Sequence, residues 1–248
     1  MSAPVGVVVA LLAEAAALGL RRPKPGLQPT DGHRRLIHIS GMGADAATHA
    51  ATALADAGAT ALLSFGTAGA LAPDLGSGDV ICPRVVIDQD GLRYVADSAW
   101  RQRLAAGNRC VLHEGALLTA KRALAGRDEK YAAQLRYGAV AVDMETAAVA
   151  AVAKQRGLPF LALRAIVDDA DTELPAAVVA ATDAWGRPRP FSLIRGLLRA
   201  PSSVRQLPGL ARAFNLASGA LRTIAETTPD FAWAPAAADL TPASPSRV

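Results

Sequence analysis

The stretch AVAVDMETAAVAA, residues 139–151, decides the fold. Its first part is an apolar run typical of a buried β-strand, and its second part is an alanine-rich segment typical of a helix. The junction between the two carries three residues of chemical interest: Asp143, Met144 and Glu145. Two carboxylates at such a junction are the first indication of a polar site.

A second apolar run, FLALRAIVDDAD at residues 160–171, also ends in acidic side chains. Its charged residues are Arg164, Asp168, Asp169 and Asp171. In open α/β sheets, ligands bind outside the carboxyl ends of the strands. Two strands that both finish in carboxylates therefore predict a polar site at one edge of a sheet.

Glu145 has two interpretations. An ionised carboxylate has two oxygens and only accepts hydrogen bonds, so Glu145 could accept from two adjacent sugar hydroxyls. Alternatively, its charge stabilises the first turn of the helix through the helix dipole. The second acidic strand end favours the binding role.

Composition limits the fold and the compartment. The chain has 248 residues, enough for one large α/β domain or two small ones, and 51% of them are hydrophobic. Since only 4% are aromatic, the core must consist mainly of Ala, Val and Leu. Cys82 and Cys110 form no CxxC pair, which fits a reducing compartment. The four histidines lack the spacing of metal ligands, and we expect neither a metal nor another cofactor.

Positive charge is uneven along the chain, whose net charge is +4 and pI about 9.4. Residues 187–222 are rich in arginine and contain no acidic residue, which points to a phosphate-bearing or membrane surface. No nucleic-acid recognition motif is present, so we expect no nucleic-acid partner.

The apolar N-terminus, PVGVVVALLAEAAALGL at residues 4–20, raises the question of a signal peptide. It lacks a preceding basic region and contains Glu14, and its Gly and β-branched residues are typical of a first buried strand. No run reaches the roughly 18 uncharged apolar residues that a membrane-spanning helix requires. We therefore expect a cytoplasmic protein, and the arginine-rich segment leaves peripheral contact with the inner membrane open.

Apolar strand-like runs alternate with helical ones along the chain. The predicted strands are Val5–Leu12, Leu36–Ser40, Ala61–Phe65, Val80–Ile87, Ala139–Val142 and Phe160–Val167. The predicted helices are Asp45–Ala57, Ala99–Ala106, Lys121–Ala125, Glu145–Gln155, Ser192–Leu198 and Ser203–Ala225. This alternation predicts an α/β fold, a three-layer αβα sandwich whose central mixed, mostly parallel sheet has helices on both faces.

A single domain is expected over residues 1–227, because no internal repeat or linker interrupts the pattern. It includes two amphipathic helices, at about residues 191–225, in which leucines alternate with arginines and which meet at Pro201. The remaining residues, 228–248, are rich in Pro, Ala and Ser and are predicted to form a disordered tail, with the disorder beginning beyond Trp233.

Two glycine-containing turns follow predicted strands: Ser40-Gly41-Met42-Gly43 and Gly66-Thr67-Ala68-Gly69. Glycines after strands allow a ligand to approach the backbone closely, and amides at a helix N-terminus favour anions or oxygen-rich groups. Neither turn has the spacing of a dinucleotide-binding fingerprint. Each alone is more typical of a tight structural turn, but together with the acidic strand ends they indicate binding residues.

Taken in order, these segments resemble the nucleoside phosphorylase and nucleosidase superfamily, especially its methylthioadenosine/adenosylhomocysteine nucleosidase branch. The matching segments lie between residues 5 and 171: VVVALLAE, SGMG, LLSFGTAGALAPDLGSGDVICP, VDMETAAVA and RAIVDDAD. The arginine- and leucine-rich segment that follows is similar to the hopanoid-associated phosphorylase subfamily. Its members are taken to release adenine from adenosylhopane during hopanoid synthesis.

The resemblance implies a role for each acidic residue. Cleavage of an N-glycosidic bond builds positive charge on the ribose, and the purine leaves poorly unless a ring nitrogen is protonated. Asp168 matches the family's acid, which must keep its proton near neutral pH through burial or a neighbouring carboxylate. Glu145 matches the acceptor for the ribose hydroxyls, with Asp143 beside it and Met144 as an apolar platform or a core side chain. Arg164 matches a residue that positions this loop, unless it simply balances the acidic cluster.

The sequence leaves two candidates for the group that attacks the sugar, water and phosphate. Glu14 matches the carboxylate that activates water in the nucleosidase branch, or it is an ordinary first-turn glutamate. Phosphorylases of the superfamily commonly have an arginine two residues before the Gly-Ser/Thr turn, where this chain has Ser64, and losing that group weakens phosphate binding. Inorganic phosphate stays a candidate co-substrate, because amides and hydroxyls remain for it at Ser40, Gly43 and Thr67.

Two other classes of protein fit less well. A dinucleotide-binding protein needs GxGxxG after its first strand, and VALLAEAA has none. A non-catalytic, membrane-attached nucleoside-binding module fits the arginine-rich segment, but it has no need of both an acid and a base.

The C-terminal leucines either bury a polycyclic substituent of the substrate or pack against the core or an oligomer interface. We expect a homo-oligomer that acts on a small nucleoside or a nucleoside-lipid.

Overall fold

One mixed sheet forms the centre of the protein. The computed structural model describes residues 4–28, 34–108, 110–173, 183–186, 207–228 and 230–234, and eleven strands of these ranges share the sheet. The strands are β1 (Val5–Val9), β2 (Gly26–Leu27), β3 (Arg35–Ile39), β4 (Ala61–Ala70), β5 (Val80–Ile81), β6 (Val85–Asp88), β7 (Arg93–Val95), β8 (Leu112–His113), β9 (Ala116–Thr119), β10 (Ala139–Asp143) and β11 (Phe160–Asp168). The helices are α1 (Leu12–Ala17), α2 (Ala44–Asp56), α3 (Ser98–Gly107), α4 (Arg127–Tyr137), α5 (Thr146–Arg156) and α6 (Leu207–Thr227).

The long strand β4 organises the sheet. Its first half pairs in parallel with β1 on one side and with β11 on the other, so that Phe65 aligns with both Val9 and Leu163. Its last two residues, Gly69 and Ala70, pair antiparallel with β10. The sheet therefore divides along β4, and the carboxyl ends of β1, β10 and β11 meet beside its second half.

Alternating side chains of the central strands supply two cores. Val7 and Val9 of β1 face a first core, shared with buried side chains of α1, α3 and α6, whereas Val8 faces a second core with α2 and α5. This follows from the alternation of side chains along a strand. Helices therefore cover both faces of a mixed, mostly parallel sheet, which confirms the predicted α/β fold class.

The helix predicted at Lys121–Ala125 is wrong. These residues form an irregular loop, and α4 begins at Arg127 instead. The Glu129 carboxylate accepts from the Gly126 amide at 3.4 Å and so stabilises the first turn of α4. The helix ends at Gly138, whose φ of 61° is the left-handed conformation typical of helix ends. The sequence pattern missed α4 because five of the eleven residues of the helix are charged and its apolar face is narrow.

Two predicted strands have different bounds. The strand predicted at Val80–Ile87 is two strands, because Pro83 has no amide hydrogen for a ladder; β5 pairs with β11, and β6 pairs with β9. The strand predicted at Val5–Leu12 ends at Val9, and the chain then enters α1. The Glu14 carboxylate accepts from the Leu11 amide at 3.0 Å, which stabilises that helix start.

The remaining differences concern short strands and the C-terminal helices. The sequence did not predict β2, β7, β8 and β9, each two to four residues long. The helix predicted at Ser192–Leu198 lies outside the described residues, and the next one is observed as α6 from Leu207 onward. None of the helices in the described ranges has the length and hydropathy needed to cross a bilayer.

The residues that follow α6 pack into the first core. Phe231 is fully buried, and the Trp100 indole Nε1 donates to its carbonyl oxygen at 2.6 Å. The Trp233 ring lies 4.9 Å from that of Trp100, and its indole N–H donates to the Thr60 hydroxyl at 3.1 Å. Residues 230–234 therefore pack against the fold. Residues 235–248 lie outside the described ranges.

Candidate active site

A pocket of about 230 Å³ opens at the sheet edge where β1, β10 and β11 end beside β4. The structure thus brings both acidic strand ends to one place. Six of the residues singled out in the sequence line this pocket: Glu14, Thr67, Asp143, Met144, Glu145 and Asp168. The other lining residues are mainly apolar: Ala10, Leu11, Met42, Ala68, Gly69, Arg122, Ala123, Leu124, Val142 and Val167. An apolar pocket with a few convergent polar groups is the usual form of a small-molecule site.

Glu14 is buried, and its carboxylate is held by two elements. Its Oε1 accepts from the Thr67 amide at 2.7 Å and from the Thr67 hydroxyl at 2.8 Å. Its Oε2 accepts from the Leu11 amide. Glu14 therefore does more than stabilise the first turn of α1, because it ties that helix to β4 at the pocket wall.

The segment Gly66-Thr67-Ala68-Gly69 is the second half of β4, and its glycines leave room for charged side chains. A Cβ at Gly66 would overlap Arg164 Nη1 and lie 2.8 Å from Glu14 Oε1. A Cβ at Gly69 would lie 2.9 Å from Asp168 Oδ2. The close approach that the sequence suggested for a ligand is thus made by the protein's own acidic and basic groups.

Asp143 and Arg164 form a buried ion pair next to the pocket. Arg164 Nη2 lies 2.7 Å from Asp143 Oδ2, and the two side chains are 2% and 1% exposed. The guanidinium also donates to the Ser64 hydroxyl at 2.7 Å and to the Thr146 hydroxyl at 2.8 Å. Asp143 accepts from the Thr146 amide at 3.0 Å. The pair therefore fixes the junction between β10 and α5, the element that carries Glu145.

Glu145 lies between two charged neighbours and the glycine-containing turn. Its Oε1 accepts from the Gly43 amide at 2.8 Å, so this turn contacts the β10–α5 junction. Burial and the nearby Asp143 raise the pKa of Glu145 to about 7, against the opposing effects of Arg164 and the Gly43 amide. Glu145 therefore changes its charge close to neutral pH.

Asp168 is buried and is paired with a lysine. The Lys130 ammonium donates to Asp168 Oδ2 at 2.5 Å, and Lys130 is only 1% exposed. Burial raises the pKa of the Asp168 carboxyl, and the positive charge of Lys130 opposes this rise. A buried carboxyl with a raised pKa is suited to hold and release a proton in a pocket.

Six of the candidate residues do not line the pocket: Gly43, Gly66 and Arg164, whose contacts are given above, and Ser40, Asp169 and Asp171. The Ser40 hydroxyl donates to the Gly41 carbonyl at 2.7 Å. Asp169 accepts from the Ser77 amide at 3.0 Å, and Asp171 is paired with an exposed arginine at 2.9 Å. In the part of the chain that the structure describes, no group of three or more His, Cys, Asp or Glu side chains is arranged to hold a metal ion.

Sequence reasoning missed three parts of the site. Lys130 lies in RDEKYAAQLRY, where it looks like a surface residue of a polar helix, and no local signal distinguishes it. The pocket loop 122–124 falls within the wrongly predicted helix, although Gly126 marks the later helix start. The segment 183–186 packs on the turn after β3, where the Ala184 carbonyl accepts from the Met42 amide at 2.7 Å.

Comparisons with known proteins agree with this fold. Residues 27–199 match the model of the Phosphorylase superfamily, while a search of curated proteins gave no match. Futalosine hydrolase of Helicobacter pylori strain 26695 is 18% identical with a TM-score of 0.64, over 90% of this chain and 97% of that chain. The 5'-methylthioadenosine/S-adenosylhomocysteine nucleosidase of Neisseria meningitidis, in complex with methylthio-immucillin-A, is 19% identical with a TM-score of 0.64, over 91% and 100% of the two chains. The corresponding nucleosidase of S. pneumoniae is 20% identical with a TM-score of 0.62, over 90% and 99%.

The two kinds of comparison support different statements. The similarity to the solved structures, at these low identities, establishes a shared fold. The family match covers more than half of the sequence and includes Glu145 and Asp168, whereas Glu14 precedes it. On this match, the chain belongs to the Phosphorylase superfamily.

Proposed function

We propose that the protein cleaves the N-glycosidic bond of a purine nucleoside and that water is the attacking group. The observation that carries this proposal is one pocket in which, besides the Asp143 carboxylate paired with Arg164, three buried carboxyl groups come from separate elements. They are Glu14 of α1, Glu145 at the start of α5 and Asp168 at the end of β11. Membership of the Phosphorylase superfamily supports the reaction class.

Each carboxyl group has a distinct part in the proposed reaction. Asp168 protonates a ring nitrogen of the purine as the bond to the sugar breaks, which its raised pKa favours. Glu145, when ionised, accepts from the ribose hydroxyls, with Met144 as the apolar neighbour of the sugar. Glu14 accepts the proton of the attacking water as positive charge builds on the ribose.

Water is favoured over phosphate because the groups that would bind phosphate are already engaged. The Thr67 amide and hydroxyl both donate to Glu14, and the Gly43 amide donates to Glu145. The Ser40 hydroxyl donates to a backbone carbonyl. A phosphate at Thr67 would also meet the negative charge of Glu14, and like charges repel at this range.

Phosphorolysis is the second candidate, and one observation favours it. Arg122 lines the pocket, and a guanidinium is well suited to bind phosphate. Its side chain is 67% exposed and is paired with Glu129 at 2.5 Å, so it would have to exchange this partner for phosphate.

The choice between the two acceptors is tested by product analysis. The protein is incubated with adenosylhopane, adenosine or methylthioadenosine, with and without inorganic phosphate, and adenine is followed by chromatography. We expect adenine and the free sugar at equal rates in both conditions. Sugar 1-phosphate detected by phosphorus NMR, with no adenine released in phosphate-free buffer, would instead establish phosphorolysis. Absence of adenine in every condition would contradict the proposed reaction.

For the substituent on the ribose, we propose a large apolar group, as in adenosylhopane, with the small thioether of methylthioadenosine as the alternative. Val167 lines the pocket and also a neighbouring groove, whose other side is formed by Gly209, Leu210 and Ala213 of α6. The α6 side of this groove gives a large substituent apolar surface beyond the pocket, whereas hydroxyl and acidic side chains of Ser77 and residues 169–173 line the rest of it. Burial of apolar surface is favourable by roughly 25 cal/mol per Å². Comparing kcat/KM for adenosylhopane and methylthioadenosine decides between them.

Nucleoside binding is expected to weaken as the pH falls below 7. Glu145 accepts hydrogen bonds from the sugar only when ionised, and its pKa of about 7 means that it takes up a proton in this range. The dissociation constant should rise by up to about tenfold per pH unit below the pKa. The measurement is calorimetry with the Asp168→Asn variant, which removes the titration of the second carboxyl. A pH-independent dissociation constant, equal to that of a Glu145→Gln double variant, would contradict this role.

A further inference from the structure

Lys130 is the least expected residue of the site. It lies on α4, a helix whose other charged residues are largely exposed, yet its side chain is 1% exposed. Its ammonium donates to three acceptors: Asp168 Oδ2 at 2.5 Å, the Asp169 carbonyl at 2.7 Å and the Thr172 carbonyl at 2.9 Å. An ammonium has three N–H donors, so its hydrogen-bonding capacity is fully used.

The three acceptors belong to one turn, residues 168–172, which follows β11 and carries the proposed acid. Burying an ammonium is costly unless it is paired and hydrogen-bonded, so this arrangement holds the turn firmly against α4. On the outer side of the same turn, Arg127 of α4 pairs with Asp171 at 2.9 Å, where both side chains are exposed. Exposed ion pairs of this kind contribute little to stability, so Lys130 makes the main connection between α4 and the turn.

We propose that Lys130 is a positioning residue for the reaction, which clamps the 168–172 turn and holds Asp168 at the pocket wall. This inference rests on the proposed function, in which Asp168 is the acid. Lys130 itself does not line the pocket and acts through Asp168.

Lys130 also affects the pKa of Asp168. The charged groups around this carboxyl are Lys130 from α4 and Asp169 from its own turn, and the pocket wall adds Glu14, Glu145 and Arg122. Among the described residues that shift the pKa of Asp168, Lys130 alone lowers it, whereas burial and Asp169 raise it. Because the acid must be protonated to act, activity is lost at alkaline pH as Asp168 gives up its proton. Lys130 lowers the pKa of Asp168 and therefore lowers the pH at which this loss occurs. Removing its charge raises the pKa of Asp168 and moves this loss to higher pH.

The test compares Lys130→Met with the parent protein, measuring kcat against pH on the nucleoside that the parent cleaves. Loss of an opposite charge should move the alkaline limb upward by about 1–3 pH units. The loosened turn should also lower kcat at the optimum by about 10- to 100-fold, with a smaller change in KM. Lys130→Arg, which keeps the charge, should retain the alkaline limb of the parent. Lys154→Met, on the exposed side of α5, is the matched control and should behave like the parent.

A second measurement does not depend on activity. In protein labelled with ¹³C at the aspartate carboxyls, the Asp168 signal, assigned with Asp168→Asn, should titrate at higher pH in Lys130→Met than in the parent. If Lys130→Met fails to fold, Lys130→Gln, which is neutral but keeps two donors, replaces it in both experiments. Unchanged titration and an unchanged alkaline limb would overturn the inference. A shifted titration in a protein that cleaves no nucleoside would support the clamp and reject the proposed function.

Discussion

Turnover of an adenine nucleoside by the Asp168→Asn variant is expected to fall by about 100-fold or more, the usual scale for loss of a general acid. Asparagine has nearly the same shape, and its side-chain oxygen can still accept from Lys130, so the fold should be retained. The variant removes only the proton that the carboxyl would give to the purine. Steady-state kinetics against the parent, at the parent's optimum pH, measure the effect.

The matched control for this prediction is Asp169→Asn. Asp169 is the next residue along the chain, but its carboxylate accepts from the Ser77 amide outside the pocket. Its turnover should stay within a few-fold of the parent. Near-normal turnover of Asp168→Asn, together with a large loss in the Asp169 variant, would transfer the role of the acid to Asp169.

Replacing Arg164 with methionine is expected to lower the free energy of unfolding by about 3–5 kcal/mol. The substitution leaves Asp143 buried with an uncompensated negative charge and removes the donor that the Ser64 and Thr146 hydroxyls share. Denaturation by urea measures the loss. The double variant Arg164→Met/Asp143→Asn should recover part of it, since the buried charge is then removed as well.

Arg156→Met is the control for the Arg164 variant. Arg156 Nη2 lies 2.8 Å from Asp56 Oδ1, a distance close to that of the buried pair, but its side chain is 41% exposed. Exposed ion pairs contribute about 0–1 kcal/mol, so this variant should unfold nearly like the parent. Equal losses in the two arginine variants would show that burial does not set the strength of the Arg164 pair.

The fold could be predicted for the strands that are apolar throughout and lie next to one another at the centre of the sheet. β1, β4, β10 and β11 were all found from such runs, because strands buried on both faces need apolar side chains at every position. The short strands β7 and β8 have no such signal, since their neighbours in the sheet determine them. The prediction of a helix at Lys121–Ala125 was wrong because it did not take account of Gly126, after which α4 begins.

The site could be predicted in part, for a similar reason. Glu145 and Asp168 follow buried strands directly, and the parallel arrangement brings such strand ends to one edge. Thr67 was singled out as a candidate phosphate ligand, but its hydrogen bonds to Glu14 link residues 53 positions apart, which only the folded chain reveals. Lys130 could not be found, because its burial depends on how α4 packs against the turn after β11.

Two of the three tryptophans lie in the interior and the third packs against the turn after β3, which gives the protein two optical reporters. Trp100 and Trp233 lie together in the first core, so their indole emission follows unfolding. Trp185 lies at the turn after β3, where a Cβ on Gly41 would come within 3.3 Å of its ring. Met42 of that turn lines the pocket, so we expect the emission of Trp185 to change when a bound ligand shifts the turn. With a Trp185→Phe variant as reference, ligand binding and unfolding can be followed separately in the unlabelled protein.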